Sequence, residues 1–431
     1  MGMTITEKIL AKHAGRDQVV PGENVWVDID VLMTHDVCGP GTIGAFTEQF
    51  GPEAKVWDPD RVVIIPDHYI FTADADARAN VEAVRRFAAE QAIPHFYDAG
   101  GPEYHGVCHV ALAEERLVRP GEVLFGTDSH TCTAGAFGAF ATGIGNTDAA
   151  FVLGTGQLWV RVPATIRVVL DGALPAHLMA KDLILEVIGR LGVDGATYRT
   201  LEFTGPVTAG LSPTERMTLC NMAIEAGAKT GIIAPDDACA AHLGLPAGAA
   251  ADWSSDPDAR VESELRLDAA ALAPCVARPH SPGNVVPVAE VAGTAVDRCY
   301  LGSCTGGKTE DLARAAALLA GREVRVDTCV VPATTAVDRD LDRLRIGEHT
   351  LRAVFESAGA RCGPPSCGAC LGGPPDTFGR LGPGQTCIST TNRNFPGRMG
   401  APDSAVFLAS PLTVAATALT GRIADPRDWM E

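Results

Sequence analysis

Residues 298–320 read RCYLGSCTGGKTEDLARAAALLA, and they join a short apolar run, a glycine-rich turn and an amphipathic stretch. This pattern predicts a strand over Arg298–Leu301 and a helix over Thr309–Ala320, with Thr309 as its cap. Cys304 lies in the turn, directly before the helix N-terminus, where the thiolate form of a cysteine is favoured. Cys304 is therefore a candidate metal ligand, although a buried core cysteine would fit the same position.

The same alternation of strand and helix extends along the chain, and it indicates an α/β fold. A length of 431 residues exceeds what one core supports, so we expect two or three domains. Boundaries near Pro163 and near the stretch His280–Gly283 divide the chain into 1–163, 164–278 and 279–431. The segment 240–278 is rich in Ala, Asp and Pro, which predicts a surface helix and a linker. Strands are expected at 61–66, 123–125 and 165–170, and helices at 80–91 and 182–191.

Composition excludes several classes of protein. The formal net charge is -18 and the sequence pI is near 5.0, which argues against a nucleic-acid binder. The sequence lacks an uninterrupted apolar run long enough to span a bilayer, and its first ten residues lack an apolar signal-peptide core. We therefore expect a cytoplasmic protein, in which the 13 cysteines serve as core residues or metal ligands rather than as disulfides.

Cys367 and Cys370 form a CxxC motif within Gly363–Gly373, which reads GPPSCGACLGG. A CxxC motif alone fits a zinc half-site, a redox pair or a chance pairing. Together with Cys304 it could instead hold an iron–sulfur cluster by three corners, leaving one metal open for Lewis-acid catalysis. On spacing alone, the cluster and the zinc site are both open.

Histidines and acids recur where predicted strands end, a place where α/β folds commonly carry catalytic groups. A neighbouring acid can fix the tautomer of a histidine and raise its pKa, which makes a general acid. Each histidine taken singly also fits a structural or surface role. The positions are His35 with Asp36, Asp67 with His68, His105 and His109, and the GTDSHT loop with Asp128, Ser129 and His130.

The loop over Thr390–Met399, TTNRNFPGRM, places Arg393 and Arg398 on either side of a Phe-Pro-Gly turn, with Asn392 beside them. Two guanidinium groups at this spacing could clasp carboxylates. A solvated loop with surface arginines explains the same residues.

In this order the segments resemble the aconitase superfamily, and in particular its branch of separate large subunits, the isopropylmalate dehydratases and homoaconitases. The resemblance runs from about residue 33 to 400, and its specificity favours the cluster over zinc. The matching segments are MTHDV, PDH, GTDSHT, LEFTGP, MTLCNMAIEAGA, PHSPGNV, LGSCTGGK, CGPPSCGACLGG and STTNRNFPGRMG.

The resemblance implies three α/β/α domains around a central cleft, without the swivelling fourth domain. It implies a [4Fe–4S] cluster with one open iron on Cys304, Cys367 and Cys370, which would bind a substrate hydroxyl and carboxylate. It also implies roles for the polar residues. The expected catalytic residues are Asp67, His68, His109, Asp128, His130 and Glu202, and the expected substrate-binding residues are His35, Ser129, Asn392, Arg393 and Arg398.

The implied reaction is hydro-lyase chemistry that isomerises 2- and 3-isopropylmalate in leucine biosynthesis. Homoaconitase and dimethylmalate- or methylmalate-type dehydratases share these motifs, and an RNA-binding regulatory relative is a further alternative. The family takes its base from a serine in a Gly-Ser-Ser-Arg-Glu motif, which this sequence lacks, so we expect a small subunit to supply it. Family members often have Asn where this chain has Gly306.

Overall fold

Three open sheets with flanking helices organise the computed structural model, which describes residues 2–430. The first sheet is parallel, in the order β4-β3-β2-β5-β6, and a ribbon of β1 and β7 lies beside it. Its elements are α1 (Ile5–His13), β1 (Asn24–Asp28), β2 (Val31–Thr34), α2 (Gly39–Phe50), β3 (Val62–Ile64), α3 (Ala75–Gln91), β4 (His95–Phe96), α4 (Cys108–Glu114), β5 (Val123–Gly126), β6 (Phe140–Gly143), α5 (Asn146–Thr155) and β7 (Gln157–Arg161).

The second sheet is parallel as well, in the order β10-β9-β8-β11. It shares a continuous hydrophobic core with the first sheet through residues such as Phe137 and Phe203. Its elements are β8 (Thr165–Asp171), α6 (Ala180–Leu191), β9 (Thr200–Thr204), α7 (Pro206–Gly210), α8 (Pro213–Asn221), β10 (Thr230–Ile232), α9 (Asp237–His242) and β11 (Ser263–Asp268).

The third sheet has seven strands in the order β13-β12-β20-β19-β14-β15-β18. Its helices α10, α12 and α13 bury their apolar faces in a separate core. Its elements are β12 (Cys275–Ala277), β13 (Val285–Pro287), β14 (Arg298–Leu301), α10 (Thr309–Leu319), β15 (Asp327–Val330), α11 (Thr335–Arg343), β16 (Arg345–Ile346), β17 (His349–Thr350), α12 (Leu351–Ser357), β18 (Arg361–Cys362), β19 (Thr386–Ser389), β20 (Ala405–Ala409) and α13 (Pro411–Thr420).

The α/β class and the elements predicted from apolar periodicity are confirmed. Helix α3 buries the stripe of Val81, Val84, Phe87 and Ala88, and the Asp74 side chain caps it by accepting the Ala77 N–H at 2.9 Å. The cap of α10 differs from the prediction, because Lys308 occupies the N-cap position and the predicted cap residue lies inside the helix.

Segment 240–278 contains more structure than the predicted surface helix and linker. Strand β11 runs parallel to β8 along the edge of the second sheet, and β12 pairs with β13 and β20 of the third sheet. The alternating pattern is weak in β11 because most of its side chains are exposed at this edge. The division at 163/164 and 278/279 stays a prediction; β12 indicates that the second boundary falls before Cys275. Within residues 2–430, every helix is too short or too polar to cross a bilayer.

Candidate active site

Two sets of parallel strands place the polar loops. In the first sheet β3, β2 and β5 are parallel neighbours, so the loops that follow them, with Asp67, His35 and Asp128, leave the same edge. In the third sheet β18, β15, β14 and β19 are parallel neighbours, so Cys304 and the CxxC loop leave one edge as well. The carboxyl ends of parallel strands are the usual position of ligand sites in such sheets.

A direct contact joins these two edges. The Cys367 N–H donates to the Asp67 carbonyl oxygen at 2.8 Å, although 300 residues separate them along the chain. The next residue, Gly368, passes so close to the same turn that a Cβ atom there would lie 2.8 Å from the His68 carbonyl oxygen. A side chain would have to push the two loops apart, so glycine allows the CxxC loop to pack against His68.

Asp67 and His68 form a buried pair. The Asp67 carboxylate contacts His68 Nδ1 at 2.6 Å and accepts the Cys108 N–H at 2.8 Å. Burial opposes protonation of His68, yet the charge and hydrogen bond of Asp67 prevail and raise the pKa of His68 to about 9. The pKa of Asp67 is lowered, because the histidine outweighs the effect of burial. The pair therefore holds a proton that His68 can donate.

Asp36 fixes the backbone of the turn that carries Asp67 and His68. Its carboxylate is fully buried and accepts three successive backbone N–H groups, from Asp67 at 2.9 Å, His68 at 3.1 Å and Tyr69 at 2.5 Å. His35, Asp36, Asp67 and His68 are close enough to hold a metal ion together. Because the Asp36 oxygens already accept three N–H groups, the arrangement favours a fixed hydrogen-bond network over a metal site.

Asp128 links three histidines. Its carboxylate contacts His109 Nε2 at 3.0 Å and His130 Nδ1 at 3.2 Å, and His35 Nε2 lies 3.7 Å away. Burial would raise the pKa of Asp128, but its contacts with His109 and His130 hold it well below the usual range. The ring of His35 also lies 4.7 Å from that of His68, so the two acid–histidine groups adjoin.

Glu225 continues this network toward the arginine loop. Its Oε1 contacts His130 Nε2 and accepts the Arg393 Nε–H, both at 2.7 Å. Burial raises the pKa of Glu225, but His130 and Arg393 more than offset it and leave it lowered. The sequence led us to expect Glu202 as the acidic partner of a site histidine, and that assignment is wrong. The Glu202 carboxylate accepts the Ser255 hydroxyl at 2.6 Å and lies 3.4 Å from an Arg167 nitrogen.

The three cysteines are buried at the centre of the cleft, with Cys304, Cys367 and Cys370 exposed by 1%, 6% and 1%. The Cys304 sulfur accepts N–H groups from two asparagine side chains, Asn221 at 3.2 Å and Asn392 at 3.4 Å. Amide donors aimed at a buried sulfur suit a metal-bound thiolate. These three thiols could therefore hold a metal or an iron–sulfur cluster, and the donor set fits sulfur-ligated iron.

Burial overrides the expected effect of the helix end on Cys304. Burial raises the pKa of its thiol to about 11, because desolvation outweighs the Ser303 hydrogen bond and the Lys308 charge. The pKa of Cys370 is lowered to about 7, first through its hydrogen bond with Cys367 and also by the charges of His68 and Arg398. The hydrogen bond between the two thiols thus makes Cys370 the more acidic member of the CxxC pair.

The remaining predicted residues also line the cleft. Arg398 is half-buried, and its Nε has no hydrogen-bond partner within residues 2–430. Asn392 bridges Cys304 and Asn221, since its amide also donates to the Asn221 carbonyl at 3.2 Å. Ser129 directly follows Asp128 and is partly exposed. The structure thus brings together the expected catalytic, substrate-binding and cysteine residues except Glu202, whereas His105 lies apart and contacts Glu114 at 2.8 Å. It adds Asn221 and Glu225, which both lie in the quoted segment MTLCNMAIEAGA.

Comparison with known proteins agrees with this geometry. Residues 7–421 match the model of the Aconitase family (aconitate hydratase). The 3-isopropylmalate dehydratase large subunit, chloroplastic, of Arabidopsis thaliana is 55% identical and covers 100% of this chain and 87% of its own length. The 3-isopropylmalate dehydratase large subunit 1 of Methanopyrus kandleri is 48% identical over 100% of both chains.

Among solved structures, aconitase X of Thermococcus kodakaraensis (holo-form) aligns over 86% of this chain and 84% of its own, with a TM-score of 0.50 and 12% identity. At that identity the likeness concerns the fold alone. The family model and the full-length relatives are decisive. This chain belongs to the aconitase family.

Proposed function

We propose that this chain is the large subunit of a cytoplasmic hydro-lyase that interconverts 2- and 3-isopropylmalate by dehydration and rehydration, a step of leucine biosynthesis. The observation that carries the proposal is the contact between the Asp67–His68 pair and the CxxC loop, whose thiols are buried with that of Cys304. The full-length relatives named 3-isopropylmalate dehydratase large subunit support the choice of substrate.

The cofactor we propose is a [4Fe–4S] cluster on Cys304, Cys367 and Cys370. The two asparagine N–H groups on the Cys304 sulfur support this ligand set. When bound, such a cluster with one open iron supplies a Lewis acid for the hydroxyl and a carboxylate of the substrate.

His68 is the proposed general acid for the departing hydroxyl group. Because the pKa of His68 is raised to about 9, the imidazole carries its proton at neutral pH. Asp67 fixes the ring by its contact with Nδ1, which leaves Nε2 to face the reacting group. Asp36 keeps the turn rigid through its three backbone bonds, so that His68 stays in register with the substrate.

The substrate carboxylates would be bound by the arginine loop and its neighbours. Arg398 has an uncommitted N–H, and Arg393 is oriented by Glu225 so that its other nitrogens remain available. Asn392, Ser129 and His35 would contribute further hydrogen bonds. Planar guanidinium groups suit this task, since they bind carboxylates through two parallel N–H groups.

His109 and His130 would form a hydrogen-bonded network around the Asp128 carboxylate that excludes water and orients the substrate. Asp128 stays ionised because both histidines contact it, and Glu225 holds His130 from the opposite side. The network supplies a fixed electrostatic environment, the kind of preorganisation that lowers the barrier of charged reactions.

A small subunit completes the proposed enzyme, with a swivelling domain whose serine would act as the base on the substrate carbon. The word "large subunit" in the names of the relatives supports such a partner. We therefore expect the purified chain alone to be inactive, even when its cluster is intact. Turnover by the chain without a partner would contradict this.

An anaerobic turnover assay of the two-subunit enzyme tests the function. Formation and loss of the unsaturated acid would be followed with isopropylmalate, homocitrate, citrate, citramalate and dimethylmalate. We expect a clear preference for isopropylmalate. Preference for another diacid would leave the proposed mechanism intact and change only the substrate. Absence of turnover with all five acids, in enzyme with an intact cluster, would refute the hydro-lyase proposal.

A further inference from the structure

A cavity of about 440 Å³ opens beside Ser129, at the edge of the cleft. Its walls come from the loop after β6 and from the segment that follows Glu225, which ends in β10. Ile144 and Ile224 line it with aliphatic carbon, and the hydroxyl groups of Ser129 and Thr197 lie in the same wall. The cavity therefore offers room for a small aliphatic molecule with polar ends.

Lys229 lies in the wall of this cavity, and its backbone is held on both sides. Its N–H donates to the Arg199 carbonyl at 2.8 Å, and its own carbonyl accepts the Thr142 hydroxyl at 2.7 Å. Its ammonium group, in contrast, has no hydrogen bond or ion pair within residues 2–430, and burial lowers its pKa, with only the distant charge of Asp148 opposing. An anion in the cavity would give this half-buried ammonium group the acceptor that it lacks within residues 2–430.

Tyr198 stands over this amine. The Lys229 ammonium lies 5.5 Å from the centre of the Tyr198 ring, which places the cation over the ring face. Tyr198 has a φ of 59°, a left-handed conformation that a bulky residue adopts only at a cost of about 1–2 kcal/mol. Such strain persists where a side chain must occupy a particular place, here the mouth of the cavity.

The net negative charge of the chain makes a local cation such as Lys229 useful for binding an anion. At a net charge of -18 the protein repels a dianion, so a diacid needs local cations to enter the cleft. Arg393 is paired with Glu225, whereas the Lys229 ammonium group has no ion pair within residues 2–430. Thr127 and Ser129, which flank Asp128 in the sequence, line the same cavity, so the cavity adjoins the histidine network.

We propose that the cavity between Ser129 and Lys229 is a subsite for an aliphatic dicarboxylate, in which Lys229, steadied by Tyr198, binds one carboxylate outside the reacting position. The inference rests on the proposed function for the identity of the diacid. Ser129 donates to the same molecule, and Ile144 and Ile224 contact its aliphatic part. Lys229 thus contributes to substrate capture and not to the chemical step.

The test uses the two-subunit enzyme with Lys229→Met, Lys229→Arg and Lys12→Met. Lys12 is a matched control, because its ammonium also lies over an aromatic ring, Trp253 at 5.0 Å, but outside the cavity. Kinetics with 2-isopropylmalate would be combined with inhibition by malonate, a dianion, and by monomethyl malonate, a monoanion. The same malonate titration by calorimetry on the large chain alone reports binding without turnover.

We expect Lys229→Met to raise the KM and the malonate inhibition constant about tenfold, the loss of one charge-assisted hydrogen bond. The kcat should stay within about twofold, the monoester should be affected less, and Lys229→Arg should restore malonate binding. An unchanged KM and malonate affinity in Lys229→Met would overturn the subsite. Equal losses of affinity for malonate and its monoester in Lys229→Met would also overturn the subsite. Reduced co-elution of Lys229→Met with the small subunit would overturn it as well, because the cavity would then be a subunit contact. If wild type turns over no diacid, the proposed function fails, and calorimetry still decides on the subsite.

Discussion

Replacing Asp67 with asparagine should remove the proton that His68 holds at neutral pH. In the wild type the carboxylate lies 2.6 Å from Nδ1 and raises the pKa of His68 to about 9, against the ordinary 6.5. The difference corresponds to about 3 kcal/mol of preferential interaction with the imidazolium. In Asp67→Asn the burial of the ring remains and favours the neutral form, so the pKa should fall to about 6.5 or lower. At pH 8 the protonated fraction then drops from about 90% to about 3%, roughly 30-fold.

The cluster-free large chain suffices for this measurement. NMR of chains with ¹³C-labelled histidine would follow the Cε1 signal of His68 with pH, and His68→Gln identifies that signal. Asp30→Asn is the matched control, because Asp30 contacts His13 at 2.7 Å in another part of the first domain, and it should leave His68 unchanged. A His68 signal that titrates near 6.5 in the wild type, or near 9 in Asp67→Asn, would refute the assignment of His68 as an acid held by Asp67.

The sign of the linked stability follows from the same values. Because folding raises the pKa of His68, its contribution to the free energy of unfolding is full below pH 6.5 and disappears as pH rises through about 9. Asp67→Asn should therefore differ most from the wild type at pH 6, and the difference should shrink toward pH 9.5. Urea unfolding at both pH values checks this.

Four further substitutions test other parts of the site. Glu225→Gln should lower kcat/KM of the two-subunit enzyme at least tenfold, because the carboxylate that orients two site residues becomes neutral. Glu202→Gln is the control and should stay within about threefold of the wild type. Equal losses for both variants in the steady-state assay would restore Glu202 as the acidic partner of the site histidines. Gly306→Ala would place a Cβ atom 2.2 Å from Thr390 Cβ and should cost about 1–3 kcal/mol in urea unfolding, while wild-type stability would mean that Thr390 yields freely. Burial lowers the pKa of Lys181 to about 7, so between pH 7 and the ordinary lysine pKa of 10.5 the unfolded chain binds one more proton than the folded chain. The free energy of unfolding of the wild type relative to Lys181→Met should therefore rise from pH 7 to 9, and a constant difference would contradict this pKa.

The strands and helices with strong apolar periodicity could be predicted from the sequence, since β14, α3 and α6 bury the stripes that their spacing indicates. Strand β11 could not, because an exposed edge strand carries polar residues and is defined by its pairing with β8. Periodicity reports burial against a core, and an edge strand has little of it.

The sequence could predict which types of residue form the candidate site, but not which residues contact one another there. Glu202 and Glu225 both lie in quoted motifs, and only the packing of the Met222–Ala226 turn beside His130 decides between them. For Cys304, the helix position predicted an acidic thiol, but burial, which sequence spacing does not reveal, raised its pKa instead. Desolvation depends on neighbours from all three sheets.

The contact between the Cys367 N–H and the Asp67 carbonyl also sets an order of events during synthesis. A ribosome that adds about 5–20 residues per second needs roughly 15 to 60 s to pass from one residue to the other. Throughout that interval the His68 turn, already translated, lacks the loop that packs against it, and two of the three thiols do not yet exist. The proposed cluster could therefore gain all its ligands only after the Cys367–Cys370 loop has been translated. Stalled or truncated chains that end before Cys367 would escape loading altogether.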